Sequence, residues 1–206
     1  MDIKYHNQQI LSKYLPGNSI ALITDWISKY NFNLKITRKR VTKFGDYHYP
    51  SNKVGHRISI NNDLNKYAFL ITLVHEIAHL IIWEKYKKKV KPHGNEWKNE
   101  YRALMKNFIV HSIFPSDILE AINAYMVNPY ASSASDIGLM RTLRKYDDNK
   151  SLTYIEDIPR GSVFRIKSGR TFCKGEKLRK RYKCEDLYNK KIYLFNPLTD
   201  VTPVRT

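Results

Sequence analysis

Tyr67-Ala68-Phe69-Leu70-Ile71-Thr72-Leu73-Val74-His75-Glu76-Ile77-Ala78-His79-Leu80-Ile81-Ile82-Trp83 is the stretch on which the reading of this chain turns. It is almost wholly apolar, so it predicts a helix buried on all sides rather than one lying on a surface. Its centre carries the pattern His-Glu-x-x-His. On a helix, positions i and i+4 share a face one turn apart, so His75 and His79 both reach one metal ion. Burying two imidazoles and a carboxylate without partners costs several kcal/mol, and a metal satisfies all three together. The pattern is that of zinc hydrolases. Zinc brings the pKa of a bound water towards ~7. Glu76, beside the first ligand, is placed to take the water proton and pass it to a leaving amine.

A catalytic zinc needs three protein ligands and one open position. The metzincin extension requires Gly at 82 and His at 85; the chain has Ile82 and Lys85. The next candidate is His93, in Pro92-His93-Gly94-Asn95-Glu96-Trp97, with Glu96 and Glu100 as rivals. All three would share a face of a helix that starts near His93, and spacing alone does not separate them.

His-Glu-Ile-Ala-His followed by His-Gly-Asn-Glu-Trp resembles the SprT-like metalloprotease family, which includes the Spartan DNA–protein crosslink proteases. The resemblance implies zinc held by His75, His79 and His93, with Glu76 as catalytic base. Gly94 and Trp97 match the rest of the second motif. Arg57-Ile58-Ser59-Ile60-Asn61 looks like the short strand that precedes the active helix in that family, and it is expected to pair with an extended substrate. The resemblance covers roughly residues 15–110.

The 206 residues suit one domain, or one domain with a small appendage. No uninterrupted apolar run reaches the ~18–20 residues of a membrane span, and the start lacks a signal-peptide pattern. Two cysteines, Cys173 and Cys184, provide no disulfide framework. The expectation is a cytoplasmic protein, compatible with nucleoid association, with no membrane contact. The net charge is +17, from 36 Lys and Arg against 19 Asp and Glu, which points to a polyanionic partner. Basic residues cluster over Lys35–Lys43, Lys85–Lys91 and Arg160–Lys191. Aromatics interleave with the last cluster, and Tyr182, Tyr188 and Tyr193 are candidates for stacking on unpaired bases.

Along the chain, helices are expected over Ile3–Tyr14, from Asn18 or Ser19 to Tyr30, from Asn62 or Asp63 through the motif to the lysine run, over Gly94–Val110, from Phe114 to Met126, and from Ser135 or Asp136 to Tyr146. Leu34–Arg40 and Arg57–Asn61 read as strands, and Gly45–Pro50 as a loop or hairpin. Few strands followed by many helices make an α+β, zincin-like metalloprotease domain over 1–148. After a polar linker, 151–206 reads as a basic β-rich appendage with strands at 162–166, 180–184 and 191–195. Family members often carry a C-terminal zinc ribbon with four cysteines. Here Tyr182–Leu187 resembles one knuckle with Leu187 in place of its second cysteine, so a second zinc is not expected.

The functional expectation is a zinc-dependent endopeptidase with one catalytic Zn²⁺ that cleaves proteins bound or crosslinked to DNA, preferring single strands or junctions. The alternatives are a nucleic-acid-binding module with structural zinc and vestigial protease activity, and a zinc peptidase with a soluble protein substrate. Oligomeric state and cleavage preference are not legible.

Overall fold

The computed structural model describes residues 8–40, 42–51, 54–131, 135–148 and 152–204. Two compact units result, Met1–Asp147 and Asp148–Thr206. Each has its own apolar core.

The first unit opens with a helical turn over 8–11; the earlier part of the expected Ile3–Tyr14 helix lies outside the described residues. Helix α1, Ile20–Tyr30, follows a 3₁₀ turn over Gly17–Ser19. Ser19 does not cap it in the expected way. Its hydroxyl instead donates back to the Pro16 carbonyl at 2.7 Å. Asn31, in the left-handed region at φ 46°, ends α1, and strand β1 runs directly on from it over Phe32–Thr37. The chain then forms β2, Gly45–His48, and β3, His56–Asn61. Of the loop or hairpin expected over Gly45–Pro50, the structure has the hairpin: Gly45–His48 pairs antiparallel with β3 in register from Gly45↔Ile60 to His48↔Arg57.

The sheet order is β1-β3-β2, with β1 parallel to β3. This corrects the expected role of Arg57–Asn61. It is the central strand, with β1 on one side and β2 on the other, so its main-chain groups are already engaged and cannot take up a substrate strand. Among the described residues the outer edge of β2 has no strand partner.

Helix α2, Lys66–Tyr86, is the motif helix. Its cap is Asn65 rather than Asn62 or Asp63. The Asn65 side chain accepts from the Tyr67 and Ala68 amides at 3.1 and 2.9 Å, while its own amide donates to the Leu143 carbonyl at 2.9 Å. Phe69, Leu70, Ile71, Leu73, Val74, Ile77, Ala78 and Leu80 are fully buried. Each large side chain of that set contributes roughly 1.5–3 kcal/mol on burial, enough to carry the polar centre of the helix into the core. By length and composition α2 would also suit a membrane span, but 78% of its most apolar window is buried inside the fold. It is packed as a core helix.

Helix α3, Asn95–Val110, lies against α2 and buries Trp97, Tyr101, Leu104, Met105 and Phe108. Helices α4, Ser116–Val127, and α5, Ile137–Leu143, complete the unit. Asp136 caps α5 as expected, accepting from the Leu139 amide at 2.8 Å.

The second unit is a six-stranded sheet of order β4-β9-β5-β6-β7-β8. The strands are β4 Thr153–Tyr154, β5 Val163–Arg165, β6 Thr171–Lys177, β7 Tyr182–Asp186, β8 Ile192–Phe195 and β9 Asp200–Pro203. Strand β6 escaped the sequence reading because Cys173-Lys174-Gly175-Glu176-Lys177 has no apolar alternation. Lys174 nonetheless points inward, its ammonium donating to the Ile158 carbonyl at 2.5 Å and lying over the Tyr182 ring at 4.2 Å. Register shifts between Lys174 and Lys177, and a Cβ on Gly175 would come within 2.7 Å of the Lys183 carbonyl oxygen. Only glycine fits that bulge. Tyr182–Asp186 is a regular strand rather than a knuckle. In register, Cys184 pairs with Lys174 and Cys173 with Glu185. Side chains alternate along a strand, so the two thiols face opposite sides of the sheet and share no metal.

Candidate metal centre

His75 and His79 lie one turn apart on α2, as their spacing requires. His93 arrives from the loop ahead of α3, in the left-handed region at φ 57°. That conformation, with Gly94 as the cap of α3, folds the loop so that His93 faces α2. The three Nε2 atoms converge: His79 to His93 at 2.8 Å, His79 to His75 at 3.2 Å, and His93 to His75 at 3.3 Å. Among the described residues this is the sole cluster with metal-ligand geometry.

Burial holds all three imidazoles in the neutral form. His75 is pushed well below its ordinary value, with the neighbouring His79 and His93 adding to the effect. His79 is pushed down to about 3 by burial and then by His93. His93 is lowered by burial and by Lys98. Three neutral rings meeting at Nε2 cannot satisfy one another, because a proton on any one nitrogen serves only one of its two neighbours. A cation accepts all three lone pairs. Tetrahedral zinc, with Zn–N of ~2.0–2.1 Å, needs nitrogens roughly 3.4 Å apart, and the imidazoles stand close to that. Imidazole also suits zinc among biological metals. The residues fit the ion.

Trp97 is the residue whose importance the motif understated. Its ring meets His75 edge-on at 4.6 Å, stacks on His79 at 5.3 Å, and meets His93 edge-on at 4.7 Å. One fully buried indole therefore packs against all three imidazoles. Tyr101 stacks beneath it at 5.0 Å and donates to the Ile71 carbonyl at 3.3 Å. His75 Nδ1 is buried with no partner among the described residues, so ring packing takes the orienting role that an outer hydrogen bond usually fills.

Glu96 and Glu100 stand apart from the imidazoles. Glu100 accepts from Lys85 Nζ at 2.5 Å. Both acids line a cavity of about 330 Å³ with Ile82, Tyr86, Asn95, Asn99 and Ala103. The third ligand is therefore tested by three substitutions. His93→Ala should weaken zinc by more than the ~10–100-fold that outer-shell changes cost, whereas Glu96→Ala and Glu100→Ala should keep one zinc per chain. Metal analysis after dialysis against a chelator reads the result. Retention in His93→Ala with loss in Glu100→Ala would reverse the assignment.

Glu76 is 7% exposed, under β2. Burial pushes its carboxyl up to about 8, with the charge of Asp46 adding; the Tyr47 amide, Arg40 and Lys43 oppose the shift. A dication nearby would favour the carboxylate again. A Cβ on Gly45 would stand 2.8 Å from both Ile60 Cδ1 and Thr72 Cγ2, and 3.1 Å from Glu76 Oε1. Glycine is what allows β2 to lie this close to the carboxylate.

A polar network steadies the loop before β2. Arg40 binds Asp46, donates through Nε to Asn61 Oδ1 at 2.8 Å, and through Nη1 to Ser59 Oγ at 2.9 Å. Asn61 donates to the Arg40 and Lys43 carbonyls at 3.1 and 3.0 Å. Burial works against ionisation of Asp46, but hydrogen bonds from Ser59, Lys43 and Arg40 outweigh it and hold the carboxyl far below its ordinary range. The basic run 35–43 is thus partly structural: Lys39 pairs with Asp63, and Lys43 with Asp46.

No curated protein and no solved structure matches this chain. The profile of the SprT-like family, which is associated with zinc metallopeptidase-type domains, matches residues 19–117. That segment runs from the start of α1 to the start of α4 and holds every residue of the histidine cluster, together with Glu76 and Trp97. With paired motifs, converging imidazoles and family profile on the same stretch, this chain carries a SprT-like domain.

Proposed function

We propose that this chain is a zinc-dependent endopeptidase acting on proteins bound or crosslinked to DNA. The convergence of His75, His79 and His93 Nε2 within one turn of a buried carboxylate carries the peptidase half of the reading. Zinc, when bound, acts as a Lewis acid on the scissile carbonyl and acidifies water. Everything else falls to the chain. Glu76 accepts a proton from the attacking water and returns it to the leaving nitrogen. The Tyr47 amide favours its ionised form. Trp97 keeps the three rings in register. The free edge of β2, next to Glu76, is the place for an extended peptide to add as a strand.

Charge supports the DNA half. In the second unit several cations are internally paired: Lys167 with Asp200, Arg170 with Asp186, Lys183 with Glu176, and Lys190 with Glu185. The turn between β6 and β7 is different. Arg179, Lys180 and Arg181 are exposed there, with no ion pair among the described residues, on a turn closed by Leu178 N–H to the Arg181 carbonyl at 2.7 Å.

The three candidate stacking tyrosines separate clearly. Tyr182 is in the core, and Tyr193 packs edge-on to Phe172 with Arg170 over its face. Tyr188 is 97% exposed. Its turn is braced by Asp186, whose Oδ1 accepts from the Tyr188 and Asn189 amides at 2.9 and 3.2 Å. A single ring held out on a rigid turn suits stacking on an unpaired base, worth roughly 1–3 kcal/mol. Tyr188→Ala should weaken single-stranded DNA binding by roughly 5- to 150-fold, with Tyr182→Phe and Tyr193→Phe near wild type. Fluorescence anisotropy on a labelled oligonucleotide checks this. Equal loss in all three would mean general unfolding of the sheet.

The proposal as a whole is tested with the zinc-loaded chain and a protein covalently attached to single-stranded DNA. Cleavage should depend on zinc and should exceed that of the same protein free of DNA. Equal cleavage of both substrates, without measurable DNA binding, would favour a peptidase of soluble proteins.

A further inference from the structure

Strand β2 is tied to the motif helix by a chain of three side chains. The Tyr47 hydroxyl donates to His56 Nδ1 at 2.8 Å, and His56 Nε2–H donates to Glu84 Oε1 at 2.7 Å. Both bonds hold at once in one neutral tautomer, with the proton on Nε2. The three residues come from three elements: Tyr47 from β2, His56 from the first position of β3, and Glu84 from the last turn of α2. The imidazole is tightly kept, its side chain being only 11% exposed. It lies over the Tyr47 ring at 5.8 Å and meets Trp83 edge-on at 5.5 Å, while Trp83 stacks on Tyr49 at 5.9 Å. Lys87 holds the far end of the chain, 3.1 Å from Glu84 Oε2.

The other end of Tyr47 reaches the site. Its main-chain amide lies on the Glu76 side and works against the rise in that carboxyl's pKa, and the near approach at Gly45 shows how closely β2 lies on that group. One residue is therefore held by its side chain to His56 while its strand lies against Glu76. Strand β2 has only four residues and is paired on one side. Short edge strands open easily, so an added tie to α2 has a large effect on where the strand sits.

We propose that His56 is a positioning residue: by bridging Tyr47 to Glu84 it seats β2 on the motif helix and so orients the Glu76 carboxylate. The catalytic consequence rests on the peptidase reading, whereas the seating does not.

Residue-resolved amide exchange on the zinc-loaded full chain measures the seating. His56→Phe keeps a ring and removes both hydrogen bonds; Tyr47→Phe removes the hydroxyl alone. In both, exchange at the Tyr47 amide should accelerate at least tenfold while amides of α2 and α3 stay unchanged. His56→Gln, whose amide replaces the Nε2–H contact to Glu84, should restore part of the protection. On an unstructured protein substrate, kcat of His56→Phe should fall roughly ten- to a hundredfold, in line with the cost of displacing a reacting group by about 1 Å. KM and zinc content should stay unchanged, because a misplaced base acts in the transition state alone. The double variant with Tyr47→Phe should lose no more than either single change, as expected for one shared path. Unaltered exchange at Tyr47, or acceleration spread over the whole first unit, overturns the proposal whatever the activity. Faster exchange with an unchanged kcat overturns it too, since the seat would then not reach Glu76. A wild-type chain that holds zinc and cleaves nothing removes the peptidase reading, while exchange still decides whether His56 holds β2 against Glu76.

Discussion

Glu76→Gln should hold one zinc per chain and lose proteolysis by ~10²–10⁴-fold, the range that general acid–base assistance contributes. The two halves of this result have separate causes. Zinc stays because the three Nε2 atoms that converge belong to His75, His79 and His93, and Glu76 is not among them. Activity goes because an amide cannot accept the proton of the attacking water. Gln still fills the space under β2, so the strand should keep its place. The substitution therefore isolates proton transfer from architecture. Metal analysis, thermal melting and a proteolysis assay on the same preparation check it. A variant that cleaves at near wild-type rate would remove Glu76 from the base role. Loss of zinc would show that the carboxylate helps hold the ion.

DNA affinity should fall about 10³-fold between 50 and 200 mM salt, the loss expected when six or more phosphates are neutralised and their counterions released. The charge behind this expectation is +17 over the chain, but its distribution matters more than its total. Cations that already have a carboxylate partner release fewer counterions. Arg40 and Lys43 belong to the network around Asp46, and Lys174 is buried. Arg179, Lys180 and Arg181 are exposed on one turn. Replacing those three by Ala should reduce the slope of log K against log salt by roughly 2–3, at about 0.7–0.9 per phosphate contact. Replacing Lys39 and Lys43 should change the slope little. Titrations of a labelled oligonucleotide at four salt concentrations decide the matter. No measurable binding at 50 mM salt would end the DNA reading and leave the zinc centre untouched.

The elements legible beforehand were those with a strong local cause. An apolar run of helical length with two histidines at i and i+4 gives the motif helix and two imidazoles on one face without tertiary information. Glycine before Asn95 and aspartate before Ile137 mark two helix starts for the same reason: caps are local chemistry. The Asn65 cap was misplaced by two or three residues because Asn62, Asp63 and Asn65 are all competent caps. What chose Asn65 is its amide bond to Leu143, a residue 78 positions away.

Tertiary structure decided what depends on distant partners. Strand β2 has a turn-like sequence and becomes a strand because β3 offers it an edge and Gly45 lets it lie on Glu76. That pairing placed β3 in the middle of the sheet, so the free edge beside Glu76 passed to β2. Among His93, Glu96 and Glu100, all on one face of a helix by spacing, the left-handed turn at His93 swings its ring towards α2, while Lys85 holds Glu100 elsewhere. Tyr182, Tyr188 and Tyr193 look alike as letters, yet strand register buries one, half-buries another and leaves only the turn residue in solvent. The sequence by itself determined that two imidazoles share one face of a buried helix, because spacing on a helix is a local property. Which main chain borders the carboxylate, which acid stays out and which ring reaches solvent were decided by packing between segments far apart in the chain.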